Sequence, residues 1–321
     1  DGKADSTETY TVTLTVTAAS SAPAISNNAY QIGTAAELTW FASAVNDGTA
    51  ETQNAVLTAN IDLKNEEWTP IGDSDHPYSG TFDGNGNNIK NLQITTGRPY
   101  AGLFGYVNGG TIKKTNITGR IEISNYSFTD DMFSVGGVGG WVIGNVLNCS
   151  SSVNITLTSI QGGAIRAGGI CGTYGATSGD VFVLVGCTNN GNISCSGTPG
   201  KATGSVSIAG IAGLQNRFGR IESTLNTGNV TGHLVDVDGT IAQGRLFCGG
   251  ITNQSASHGV ITANNCLNTG SITGDYPSDR GSCVVLCGGI MGCFGAKKNY
   301  PTNCYYLNTS ASNGINYYKT N

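Results

Sequence analysis

The sequence predicts an all-β chain wound as a parallel β-solenoid, and three observations carry that prediction. Apolar residues stand singly among Gly, Asn, Ser and Thr, so short strands of period two alternate with turns. A glycine followed by an apolar residue recurs at Gly102, Gly137, Gly169, Gly210, Gly250 and Gly289, at intervals of 35, 32, 41, 40 and 39 residues. The clearest copy runs from Cys248 to Gly274: a tight opening, a middle at Gly259 to Ile261, and a close from Cys266 to Gly274. Each copy supplies one large or two small rungs, stacked on its neighbours.

Composition narrows the function classes. Charged residues make up 12 % of the chain, against about 25 % in an average domain. With a net charge of −5 and no run of Lys or Arg, the chain lacks the clustered cations that displace counterions from nucleic acid. No apolar run approaches the roughly 18 residues of a membrane span, so neither nucleic acid nor membrane insertion is expected. A Lys-poor, Thr- and Asn-rich β composition is that of secreted bacterial surface proteins, and an extracellular, cell-surface address is expected. The opening Asp1, Gly2, Lys3 fits a removed signal or a cut chain.

The ten cysteines follow the repeat. Cys248 and Cys287 share the slot beside the Gly-Gly-Ile opening, while Cys149, Cys187, Cys266 and Cys304 share a slot in the closing segment, where Thr224 stands in another copy. A slot that accepts Cys or Thr asks for a small inward side chain. A ladder of buried thiols is the first reading and disulfides between neighbours the second. Cys283, Cys287 and Cys293 have spacings of four and six rather than those of a zinc knuckle. No cofactor and no metal site is expected.

The elements follow in order. Residues 1–28 read as an arm and linker, with Thr9 to Thr17 alternating strictly between apolar and β-branched polar residues. The apolar face of that strand, Tyr10, Val12, Leu14 and Val16, resembles the last strand of a PKD or Ig-like domain. It is either an orphan of a longer chain or an assembly strand donated head to tail to a neighbouring copy, which would make a homopolymer. Residues 29–321 read as the solenoid. Thr34 and Glu37 are spaced as a capping box, and Leu38, Phe41, Ala42 and Val45 form one helical face, predicting a helix over about 35–46 that ends at Gly48 and caps the first rung. Repeats run from about residue 50, with strands at 55–63, 68–71 and 80–82 and a tight Asn85-Gly86 turn before Ile89, Leu92 and Ile94. Leu103, Ile112, Ile170, Ile211, Ile251 and Ile290 are expected to stack inward.

Three motifs then bring a resemblance. Trp68-Thr-Pro-Ile-Gly72, Tyr78 to Gly86, and Gly102-Leu-Phe-Gly105, with the lead-in Tyr30-Gln-Ile32, Glu37, Leu38, Trp40 and Phe41, resemble the GLUG-motif surface proteins of anaerobic gut and rumen bacteria. The resemblance is strong over about 29–121 and looser beyond. It implies a right-handed parallel β-helix on a large secreted or wall-attached protein, and brings no catalytic residues with it.

Loops are expected at 125–133, 198–203, 233–240, 275–281 and 297–303, where the repeat pattern lapses. Candidate chemistry is sparse. Asp236 and Asp238, beside His233, are the weak candidates for a metal or an acid pair, but a solvated turn explains them and the later ligands of a calcium loop are missing. Asp73, Asp75 and His76 cluster in one loop, Asp83 reads as a turn residue, and Arg220 with Glu222 reads as an ion pair. No Ser, His and Asp set has positional support in the sequence. The reading is therefore an adhesive or structural surface protein rather than an enzyme. Its partners would be itself, a host or plant glycan, or a surface protein, with Tyr126, Tyr276 and Tyr300 as contacts. The alternative is a carbohydrate-active β-helix enzyme, a polysaccharide lyase or glycoside hydrolase, or its glycan-binding module.

Overall fold

The computed structural model describes residues 21–129, 132–199, 204–235, 244–254, 262–276, 283–294 and 301–317. Among these, strands form three sheets of 14, 11 and 6 members, and neighbouring circuits pair in parallel. One circuit shows the plan. Gly139–Leu147 lies on the first face, Ser150–Gly162 on the second and Ala164–Gly168 on the third, and Cys171–Tyr174 returns to the first beside Gly139–Leu147. Each repeat is thus one large three-faced rung. Backbone bonds from Gly137 to Gly169, Gly169 to Ala209, Gly210 to Gly249 and Gly250 to Gly288, of 3.0 to 3.3 Å, tie the corners of successive rungs together.

The alternation read in the sequence is what fills much of this coil, because on strands such as Asn88–Ile94 and Asn116–Ser124 the buried residues are the apolar ones. Leu103, Ile112, Ile170, Ile211, Ile251 and Ile290 are all buried. One of the six belongs elsewhere: the corner column is Leu103, Val138, Ile170, Ile211, Ile251 and Ile290, whereas Ile112 stands on the first face between Phe82 and Val146. The Gly136-Gly137-Val138 corner holds the slot that Ile112 was expected to fill, because the paired glycines, not the isoleucine, define it. The ten cysteines are all thiols. Cys149, Cys187, Cys266 and Cys304 donate to carbonyls of their own or the preceding rung, and Thr224 fills the same slot with its hydroxyl 3.3 Å from Cys266 Sγ. Burial pushes Cys195 and Cys293 up to about 12, which makes them inert packing groups.

Inside the second face runs a column that periodicity alone does not announce. Asn189 Nδ2 donates to Asn226 Oδ1 at 2.8 Å, and Asn226 Nδ2 to Asn268 Oδ1 at 2.7 Å. Each amide also donates to the carbonyl two residues on, at Gly191, Gly228 and Gly270. All three side chains are fully buried, and the ladder satisfies them.

The helix forms at Ala35–Asn46, with both halves of the Thr34–Glu37 capping box in place. Leu38, Phe41 and Val45 are fully buried, and the Phe41 ring meets Tyr78 and Phe82 at 5.8 and 6.4 Å. Before it, Ile25–Ser26 pairs antiparallel with Ala29–Ile32 through a turn in which Asn27 and Asn28 have φ of 49° and 58°. That turn leaves a two-residue antiparallel strand on the edge of the first sheet, a short edge of the kind that discourages further pairing. All five expected loops overlap segments outside the described residues, two at 130–131 and 295–300 and three at 200–203, 236–243 and 277–282. The latter three fall between a second-face and a third-face strand. No helix among the described residues is long and apolar enough to cross a membrane.

Candidate binding seam between the first and third faces

The tight glycine corners turn the chain so sharply that residues of the third face meet residues of the first across the corner. On the third face Tyr100, Ser134 and Arg166 stand in register on Tyr100–Ala101, Met132–Gly136 and Ala164–Gly168. On the first face Tyr106, Trp141 and Thr173 do the same on Phe104–Lys113, Gly139–Leu147 and Cys171–Tyr174. The two columns touch along a seam. Trp141 lies edge-on to Tyr100 and Tyr106, with centroids 5.9 and 5.3 Å away, and the two tyrosines are 5.4 Å apart. Further along, Ser134 Oγ and Thr173 Oγ1 share a 2.8 Å bond, and Arg166 Nη1 reaches Thr173 Oγ1 at 3.3 Å.

The three rings and Arg166 are half-buried. Burial raises the Tyr106 phenol above its ordinary value, so it stays a neutral donor. Trp141 Nε1 is buried and has no acceptor among the described residues. The seam opens at Tyr100 into a 220 Å³ cavity lined also by Arg98, Pro99, Asn46 and the 72–75 loop. On that rim Asp73 Oδ1 accepts the Asp75 and His76 amides, so the expected Asp73, Asp75, His76 cluster is a folded loop. Its histidine is bonded to Glu51 at 2.7 Å, which holds the imidazole above its ordinary value. A larger space of 610 Å³ lies between the helix and the 62–69 segment.

Comparison with known proteins gives a limited result. No family model matches the chain. Over 143 residues it is 30 % identical to halomucin of Haloquadratum walsbyi, a match taking in 40 % of this chain and 1 % of that protein. The chain thus spans about a hundredth of that relative's length. A crystal structure of a candidate immunoglobulin A1 protease from Bacteroides ovatus aligns over 90 % of this chain and 77 % of its own, with a TM-score of 0.51 and 18 % identity. The likeness is one of fold.

The sequence-predicted contacts are dispersed rather than gathered. Tyr126 does not project: its ring packs with Phe133 and Phe128 at 5.2 and 6.0 Å and lies against Gly97, where a Cβ would come within 2.1 Å of it. Tyr276 is exposed at the end of the second face. Tyr300, Asp236 and Asp238, and the strand residues Tyr10, Val12, Leu14 and Val16, lie outside the described residues. Asp83 accepts the Asn85 amide at 2.8 Å and pairs with Lys113 at 3.1 Å, as a turn residue should. Arg220 pairs with Glu222 as expected.

One constellation escaped the sequence reading. Ser196, His233 and Asp275 stand in register on three successive rungs of the second face, and His233 Nδ1 bonds Asp275 Oδ1. The order is that of a nucleophile, base and acid, but the geometry differs. Ser196 Oγ is engaged instead by the Ser159 amide at 3.1 Å and the Leu157 carbonyl at 3.5 Å. A general base must reach the hydroxyl proton through Nε2. The column is a surface hydrogen-bond ladder.

Proposed function

We propose that this chain belongs to an extracellular surface protein and binds glycans along the Tyr100–Tyr106–Trp141 seam without turning them over. The observation that supports this reading most is the aromatic trio, which gathers three half-buried rings from two faces onto one edge near the Arg166 guanidinium. Rings with a polar tip and an apolar body suit a sugar, whose faces are apolar and whose rim is hydroxylated. The local likeness to halomucin and the GLUG resemblance agree with a surface address. The helix serves the same body as an end cap, since its buried face of Leu38, Phe41 and Val45 covers the aromatic interior of the first rungs.

A glycan array followed by titration calorimetry tests the reading. Trp141→Ala is expected to weaken binding about tenfold to a hundredfold while leaving the thermal midpoint nearly unchanged, as loss of a central aromatic anchor does. Binding that survives Trp141→Ala and Tyr106→Ala together would place the site elsewhere. Release of reducing ends or unsaturated sugars from any polymer bound would favour the carbohydrate-active alternative.

A further inference from the structure

The seam holds a cation, Arg166, that meets no carboxylate among the described residues. Four described cations have carboxylate partners: Arg98 with Glu67, Lys113 with Asp83, Arg120 with Glu122, Arg220 with Glu222. Arg166 has none among the described residues. Its Nη1 meets the Thr173 hydroxyl at 3.3 Å and the Met132 thioether at 2.9 Å, and a thioether is a weak acceptor. The Thr173 hydroxyl is itself shared with Ser134. A guanidinium carries five N–H donors in a planar fork, so most of its capacity is unspent. Burial lowers Arg166 to about 10, which leaves it charged at neutral pH. A half-buried guanidinium whose described partners are a hydroxyl and a thioether is well placed to gain from an anion that meets it.

The position of the charge says what kind of anion. Arg166 is two rungs from Tyr100 in the same column, roughly 10 Å along the stack at the strand spacing, and one rung from Trp141 through Thr173. A ligand lying along the seam therefore meets rings first and the fork next, on the scale of a disaccharide. The planar fork matches a carboxylate in two parallel bonds. We infer that the seam takes a carboxylated glycan, with one sugar ring on the Tyr100, Tyr106 and Trp141 cluster and the carboxylate of the neighbouring uronic acid on Arg166. The inference rests on the glycan-binding reading above and names its substrate class.

The test uses the whole chain with three polymers: a polyuronate, the same polymer after reduction of its carboxyls to neutral sugars, and a sulfated polysaccharide of similar charge density. Tenfold to hundredfold tighter binding of the polyuronate than of its reduced form is expected, the range of a charge-assisted bond. Arg166→Met, which keeps an apolar stem beside Met132, should abolish that preference, so that the polyuronate and its reduced form bind alike. Arg166→Lys should recover only part of it, because the charge stays and the fork goes. Circular dichroism checks that both variants fold, and the reduced-polymer comparison on unaltered protein stands even where they do not. Equal binding of the polyuronate and its reduced form would overturn the carboxylate inference and leave the glycan reading in place. Equal binding of the sulfated polymer would overturn the carboxylate fork in favour of charge alone, and no binding of any polymer would overturn both readings.

Discussion

At the scale of single residues, this fold is held by slots that repeat once per rung. Asn226 is the middle of the amide ladder and fully buried. Replacing it with alanine strands one Asn189 N–H and removes the donor from Gly228 O and from Asn268 Oδ1. A loss of about 3 kcal/mol is expected from these orphaned groups, read as a shift of the urea midpoint. A loss under about 1 kcal/mol would mean that water replaces the amide. The slot was partly readable. Asn189-Asn-Gly191, Asn226-Thr-Gly228 and Asn268-Thr-Gly270 share an Asn-x-Gly signature, and the sequence shows it as a turn signal. That the same Asn points inward and bonds its copy on the next rung is a fact of register, which no local pattern contains. The cysteine slot was readable as a small inward position, because Cys and Thr exchange there, but whether its thiols stay free or pair was not.

At the scale of elements, local chemistry predicts the helix and most strands, and register alone creates the seam. Tyr106 and Trp141 stand on successive rungs of the first face and Tyr100 on the third, so their meeting depends on how many residues each rung spends between corners. The exposed tyrosines were sought in loops, and one of them, Tyr126, proves to be packing for its own loop. Glu67 gives the elements a pH-dependent clasp. Burial pushes its carboxyl up, but the Thr96 and Thr95 amides and the Thr95 hydroxyl, at 2.8 to 3.1 Å, outweigh that and hold it below its ordinary value of 4.5. A carboxyl with a depressed folded pKa stabilises above its unfolded value, and that stability disappears as pH falls through the folded one. Glu67→Gln should therefore lose stability at pH 7 and lose less than the unaltered protein on going from pH 7 to pH 3. Thermal melts at the two pH values decide it, and parallel falls for both proteins would count against the clasp.

At the scale of the whole molecule, each rung touches only the rungs before and after it, so stability is a sum of neighbour terms rather than a property of one centre. Ile211 sits mid-column between Ile170 and Ile251 and is fully buried. Truncation to alanine removes a filled volume from both of its interfaces, and about 2 to 5 kcal/mol should be lost there. In a globular core that loss would lower protection everywhere, because every slowly exchanging amide opens through the same global event. In a stack it stays local. Amides of Ala164–Gly168, Val206–Ala209 and Arg245–Gly249, the third-face strands flanking the gap, should exchange faster by mass spectrometry. Those of Asn88–Ile94 and Asn116–Ser124, several rungs away, should keep their rates. Uniform acceleration reaching Asn88–Ile94 would mean that the coil unfolds as one cooperative body.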